Sequence, residues 1–184
     1  MSCRSLLPAL AVLTLMAGCT PTPAPDFARM PDGALSPSQD PDTSALNLMV
    51  YDFADASRTH GNAVEGARAV ASLDYMAGRL YEGPRWDRVS PIWKHEMVEG
   101  RQELRAALGI VPNATSQAVV DAMIGVANAM LHSDTKAALA ILAQPIFTLG
   151  PQETLNRITN LPFLSDVNIA TMHVGASVGE SNSN

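Results

Sequence analysis

The chain has 184 residues, 47% hydrophobic and 16% charged, and its 18 acidic side chains against 12 Lys and Arg leave a formal net charge of −6. That balance argues against nucleic acid or an anionic lipid surface as the main partner, since either would be repelled over most of the molecule. Both cysteines, Cys3 and Cys19, lie near the start, so no disulfide framework closes the remainder and the fold must rest on its apolar core.

The first segment carries one cation, Arg4, followed by an uncharged and mostly apolar run from Leu6 to Met16. At 1.5 Å per residue this run makes a helix of about 16 Å, half of a bilayer core. It is too short to span a membrane and has the length of the apolar region of an export signal. Pro8 interrupts it and no polar residue gives it a second face, which argues against a buried core helix.

The small residues Ala17 and Gly18 before Cys19 resemble the lipobox of bacterial lipoproteins. In that family a dedicated peptidase cuts before the cysteine, which then carries a thioether-linked diacylglycerol and an acylated amine. This chain departs from the family in having Met16 where Leu is usual, with Leu15 one place too early. The resemblance implies a signal peptide over residues 1–18, a lipidated Cys19 and anchorage by more than one acyl chain, which one chain alone does not make stable. Thr20, rather than Asp, follows the cysteine, as in family members sent on to the outer membrane, so the resemblance implies the periplasmic face of that membrane. Arg4 would leave with the signal, taking the formal charge from −6 to −7.

Prolines at 21, 23, 25, 31, 37 and 41 punctuate the next stretch. Their spacing among Asp, Ser, Thr and Gly predicts an extended, disordered tether over residues 19–43, which at about 3.1 Å per residue reaches roughly 70 Å at most.

Residues 44–174 are expected to form one all-α domain, a bundle of six to seven helices. Helix one is predicted over 44–57, from Leu46, Met49, Val50 and Phe53 at helical spacing. Asn62 and Glu65 form a capping pattern that opens helix two, which ends near Gly83-Pro84. Its stripe of Gly66, Val70, Leu73, Ala77 and Leu80 has small members that let another helix approach. Ser90-Pro91 starts helix three, which stops at Gly109. Thr115 or Ser116 caps helix four, ending near His132. Ser133-Asp134 caps helix five, stopped before Pro145, Gly150-Pro151 opens helix six, and Ser165 opens a short helix seven. Residues 175–184, small and polar, are expected to fray. No stretch sustains the period-two alternation of a strand.

Helix three carries the most patterned surface. Trp93, Met97, Gly100, Leu104 and Ala107 fall in one stripe, flanked by Glu96, Glu99 and Glu103 on one side and Lys94, Arg101 and Arg105 on the other. Charge segregated beside an apolar seam can fix register against a partner, and solvated flanks of an ordinary core helix have the same pattern. His95 and Glu99, four apart, fall short of either a zinc-protease or a di-iron ligand set, so no metal or cofactor is expected. Asp74 and Asp121 sit among apolar helical neighbours and need a partner or an edge position in water. Gly175 to Gly179 matches G-x-S-x-G, but no His follows and no strand-to-helix turn is predicted there.

Helices four and five are unusually apolar, which predicts helix four at the centre of the bundle and Trp93, Leu104, Val120, Ile124 and Leu131 inside. The expected function is a lipid-anchored, periplasm-facing module that docks an envelope protein through the helix-three rows, with Ile146, Phe147, Phe163 and Leu164 as further candidate contacts. The alternative is a carrier or sensor of an apolar small molecule in a cleft between helices four, five and six. No nucleophile, base and oxyanion set can be assembled, so an enzyme is not expected.

Overall fold

The capping signals in the sequence are where the helices start. The computed structural model describes residues 26–181. Over them run α1 (Pro41–Asp52), α2 (Ala63–Arg79), α3 (Pro91–Leu108), α4 (Ser116–Leu131), α5 (Thr135–Leu142), α6 (Pro151–Thr159) and α7 (Ser165–Ser181), with 3-10 turns at Ala56–Arg58 and Pro84–Trp86. The fold is all-α: among the described residues no strand forms, and Ile110 and Phe147 make an isolated antiparallel bridge. Cys19, the export-signal segment and residues 20–25 lie outside the described residues.

Asn62 Oδ1 accepts from the N–H groups of Val64 and Glu65, Thr115 Oγ1 from Ala118, and Asp134 Oδ1 from Ala137. Each such cap contributes about 1 kcal/mol. Asp40 caps α1 in the same way through Thr43, so that helix starts at Pro41 rather than at Ser44. Gly109, at φ 65°, closes α3 in the left-handed conformation.

The centre of the bundle is α2, not the fourth helix. Every residue from Ala69 through Gly78 is buried, and α2 packs against α1, α3, α4 and α6. Small side chains make this possible. A Cβ at Gly66 would lie 1.9 Å from the Ile158 carbonyl oxygen, and one at Gly78 would lie 2.3 Å from that of Asp26. In α4, Val120 and Ile124 are buried as expected, but Leu131 is 58% exposed. Asp121 and Asn128 are exposed as well, so α4 buries one side and leaves its far end in solvent.

Two boundaries differ from the sequence expectation. The described residues before 44 already belong to the packed domain: Ala28 and Met30 are core residues, and Ala34 and Leu35 pack against that core. The backbone of Arg29 exchanges hydrogen bonds with the Gln117 side chain. Two apolar side chains and paired backbone groups are enough to hold a proline-rich strap on the surface, so residues 26–40 are part of the domain rather than of a tether. At the other end α7 is long. It continues into the segment expected to fray, as far as Ser181, because Val167, Ala170, Thr171 and Val174 are buried and Gly175 lets Val50 approach α7 closely.

The buried tryptophan is Trp86, 2% exposed in the turn after α2. Trp93 is only partly buried, packed against the core, with its ring centroid 5.8 Å from that of His173.

Candidate functional site

Helix α3 uses its charges inside the molecule. Its stripe is buried as the spacing predicts at Met97, Gly100 and Leu104, and Gly100 brings it against the Val167 backbone of α7. The acidic row serves that contact. Glu103 Oε2 accepts from the N–H groups of Asp166 and Val167 at 2.9 and 3.1 Å, capping α7. Glu96 pairs with His173 Nδ1 at 2.7 Å, whereas Glu99 is exposed beside His95 at 3.4 Å. On the basic row Arg101 and Arg105 are buried, and the ammonium of Lys94 lies 5.8 Å from the Tyr81 ring centroid. Glu96, Glu103, Arg101 and Arg105 are thus engaged within the molecule, with α7, α2 and α4, and Glu99 stays exposed.

The partner of Asp74 is Arg105. Asp74 is wholly buried, and the guanidinium meets it with two bonds, Nε to Oδ2 at 2.8 Å and Nη2 to Oδ1 at 2.7 Å. Arg105 Nη1 also donates to the Ala114 carbonyl at 2.8 Å, and Arg101 Nη1 donates to Ser116 Oγ at 2.9 Å. Asp26 completes the cluster from the strap, its carboxylate accepting the Ser116 N–H at the start of α4. Burial pulls the Arg101 guanidinium below its usual range, opposed by the nearby carboxylate of Asp74. Both charges of the inner pair are thus matched, which joins α2 to α3, and Arg105 Nη2 reaches Ser116 Oγ at the start of α4 at 3.3 Å. Asp121, by contrast, is exposed and accepts from Gln117 Nε2 at 2.8 Å.

A second acidic centre ties α1 to α2. Asp42 is buried and accepts from the Tyr75 hydroxyl and from Arg79 Nε. Burial and that carboxylate push the Tyr75 phenol up, while Arg85 and Thr43 hold Asp40 well below the carboxylate range. At the other end of α1, Asp52 is 3% exposed and its Oδ2 has no hydrogen-bond partner among the described residues. Burial, helped by the charge of Glu65 and opposed by Arg58, pushes its carboxyl up to about 7.

One exposed apolar surface lies on and beside α7, whereas the segment 146–147 is largely packed away. Phe147 is buried against the core and Ile146 is partly buried. Leu164 is buried too, while Phe163 is 62% exposed. On α7, Ile169 and Met172 are 43% and 54% exposed, three apart and hence neighbours on one side, with Ala176 exposed one turn on. The sequence signal for this surface is that α7 is apolar outside its buried stripe as well as within it.

An open groove of about 450 Å³ runs between α1 and α7, with Leu46, Val50, Ala54 and Val178 along it and Arg58 and Tyr51 at one side. The Arg58 guanidinium sits 4.1 Å above the Tyr51 ring. This groove is one candidate small-molecule cleft, and a second, more polar one of about 620 Å³ lies between the strap and α2, lined by Phe27, Met30, Tyr75, Arg79, Glu82 and Gln117. Ser177, the serine of the G-x-S-x-G match, lies within α7 and donates to the Val174 carbonyl at 2.8 Å, so the motif has no strand-to-helix turn. Among the described residues no three His, Cys, Asp or Glu side chains come together as a metal site, and no helix is long and apolar enough to cross a membrane. Comparisons with protein-family models, with curated proteins and with solved structures gave no match to this chain.

Proposed function

We propose that this protein is a lipid-anchored helical module of the bacterial envelope, held through Cys19 on the periplasmic face of the outer membrane, which docks an envelope protein through the outer side of α7. The observation that carries the docking surface is the exposure of Phe163, Ile169 and Met172, at 62%, 43% and 54%, on and beside one helix. Large apolar side chains grouped in water mark interaction surfaces more often than isolated ones do. The reading is of a binder rather than a catalyst, since the buried carboxylate Asp74 is closed on Arg105. The groove between α1 and α7 supports a second reading, a carrier of an apolar molecule with an anionic head that Arg58 would meet.

The test uses the full-length protein purified from native membranes. Ile169→Glu with Met172→Glu should move unfolding free energy by no more than about 0.5 kcal/mol, as exposed substitutions do, and should abolish the copurifying protein. Retention of the same partner by the folded variant refutes docking through α7. The anchor is read separately: Cys19→Ser should lose fatty-acid labelling and membrane retention, and unchanged labelling would refute the lipid assignment.

A further inference from the structure

The point where the strap enters the fold limits how the domain can stand at a membrane. Asp26 is fixed in three ways. Its carboxylate takes the Ser116 N–H, its carbonyl oxygen lies on Gly78 where a Cβ would come within 2.3 Å, and Ala28 and Met30 just beyond it are in the core. Between Cys19 and Asp26 there are seven residue steps. Whatever path they take, they reach about 25 Å at most.

A compact body of residues 26–181 has a radius of gyration of about 15 Å and hence a diameter of about 40 Å. The connecting chain is shorter than the body it holds. It cannot lift the domain a body-length from the anchor, and it cannot pass halfway round the domain to turn the far side toward the anchor. Asp26 must therefore stay within about 25 Å of the anchor, which excludes the face that carries it from the far side of the body.

That face presents apolar rings. Phe27 is 44% exposed and Tyr81 40%, and both are built on Gly78: the Phe27 Cα packs over it and the Tyr81 N–H bonds its carbonyl. A tyrosine, with an apolar ring and a polar hydroxyl, settles at the headgroup level of bilayers, and an exposed phenylalanine ring buries at the adjoining headgroup–acyl boundary. Arg29 is exposed on the same strap, and Lys94 stands beside Tyr81. A distant reference point is also available, because α4 starts at Ser116 beside Asp26 and its length carries Leu131 about 22 Å away.

We propose that the domain lies against the lipid bilayer with the strap face down, Phe27 and Tyr81 at the headgroups and the Leu131 end of α4 pointing outward. This placement rests on the lipid anchor at Cys19 proposed above. Because the contact is made by rings, it needs no anionic lipid, in keeping with the acidic charge of the chain as a whole.

The experiment places the full-length acylated protein in phosphatidylcholine vesicles with a quencher attached to the headgroups. A fluorophore is carried on Arg29→Cys in one sample and on Leu131→Cys in another; the thiol of an acylated Cys19 does not react, and the mass of the N-terminal peptide reports that acylation. The probe at 29 should be quenched several-fold more than the probe at 131. Adding Phe27→Ala with Tyr81→Ala should reduce the quenching at 29, and unchanged quenching would overturn the contact through the rings. Equal quenching at both positions in protein with acylated Cys19 overturns the orientation and leaves the anchor standing. A Cys19 peptide without acyl groups overturns the anchor and this placement with it.

Discussion

Removing the charge of Asp74 should be among the most damaging single changes in the molecule. Asp74 is fully buried and receives two bonds from Arg105, at 2.7 and 2.8 Å. Asp74→Asn keeps the size of the side chain and one acceptor, but leaves a buried guanidinium without its counter-charge. Breaking a buried pair from one side costs about 3–5 kcal/mol, and the retained acceptor puts the expectation near the lower end. Domains of this size hold roughly 5–15 kcal/mol in all, and a loss of about 3 kcal/mol lowers the melting point by roughly 6–12 °C. Arg105→Met should cost a comparable amount, since it strands the carboxylate and also frees the Ala114 carbonyl that Arg105 holds at 2.8 Å. The double variant Asp74→Asn with Arg105→Met removes both members of the pair, so its cost should fall well below the sum of the two single costs, with Arg101 left as the buried charge of the cluster. The unpaired carbonyl remains, at about 1–3 kcal/mol. Urea unfolding of the four proteins, with similar denaturant slopes, measures this coupling. A single-variant cost within about 1 kcal/mol of zero, or strictly additive costs, would refute the claim that this pair joins α2 to α3.

Asp52 should give the fold a pH dependence of the opposite sign from that of an ordinary salt-bridged acid. Its carboxyl is pushed up to about 7 by burial, so the folded state holds a proton that the unfolded chain releases near 3.9. Stability is then fully present at low pH and falls as pH rises toward and through 7, by about 1–2 kcal/mol once water penetration is allowed for. Asp52→Asn should flatten the melting point between pH 5 and 8, and an unchanged slope would show that another group carries it. Gly78→Ala should loosen the strap, since the added Cβ would meet the Asp26 carbonyl oxygen at 2.3 Å. A cost of about 1–3 kcal/mol is expected for such overpacking, with faster proteolysis near Phe27; equal proteolysis would mean that the strap is not held by this contact.

The sequence by itself determined where most helices begin, because caps act over three or four residues: Asn62, Thr115 and Asp134 each bond the N–H groups of their own first turn. It also determined the inner stripe of α3 at Met97 and Leu104, since helical period is a local property. What tertiary structure decided is which helix those stripes surround and where each charge goes. The apolar run of α4 reads as a centre, yet α2 takes that place because its glycines and alanines let neighbours approach on several sides. The basic row of α3 reads as a solvated flank, yet Arg105 turns inward to Asp74, 31 positions earlier in the chain. The proline-rich strap reads as a tether, yet Met30 finds a place in the core and Asp26 the first turn of α4, 90 positions on. Composition reports what a segment can bury alone; burial of a few side chains on a surface made by distant residues is settled only when those residues have come together.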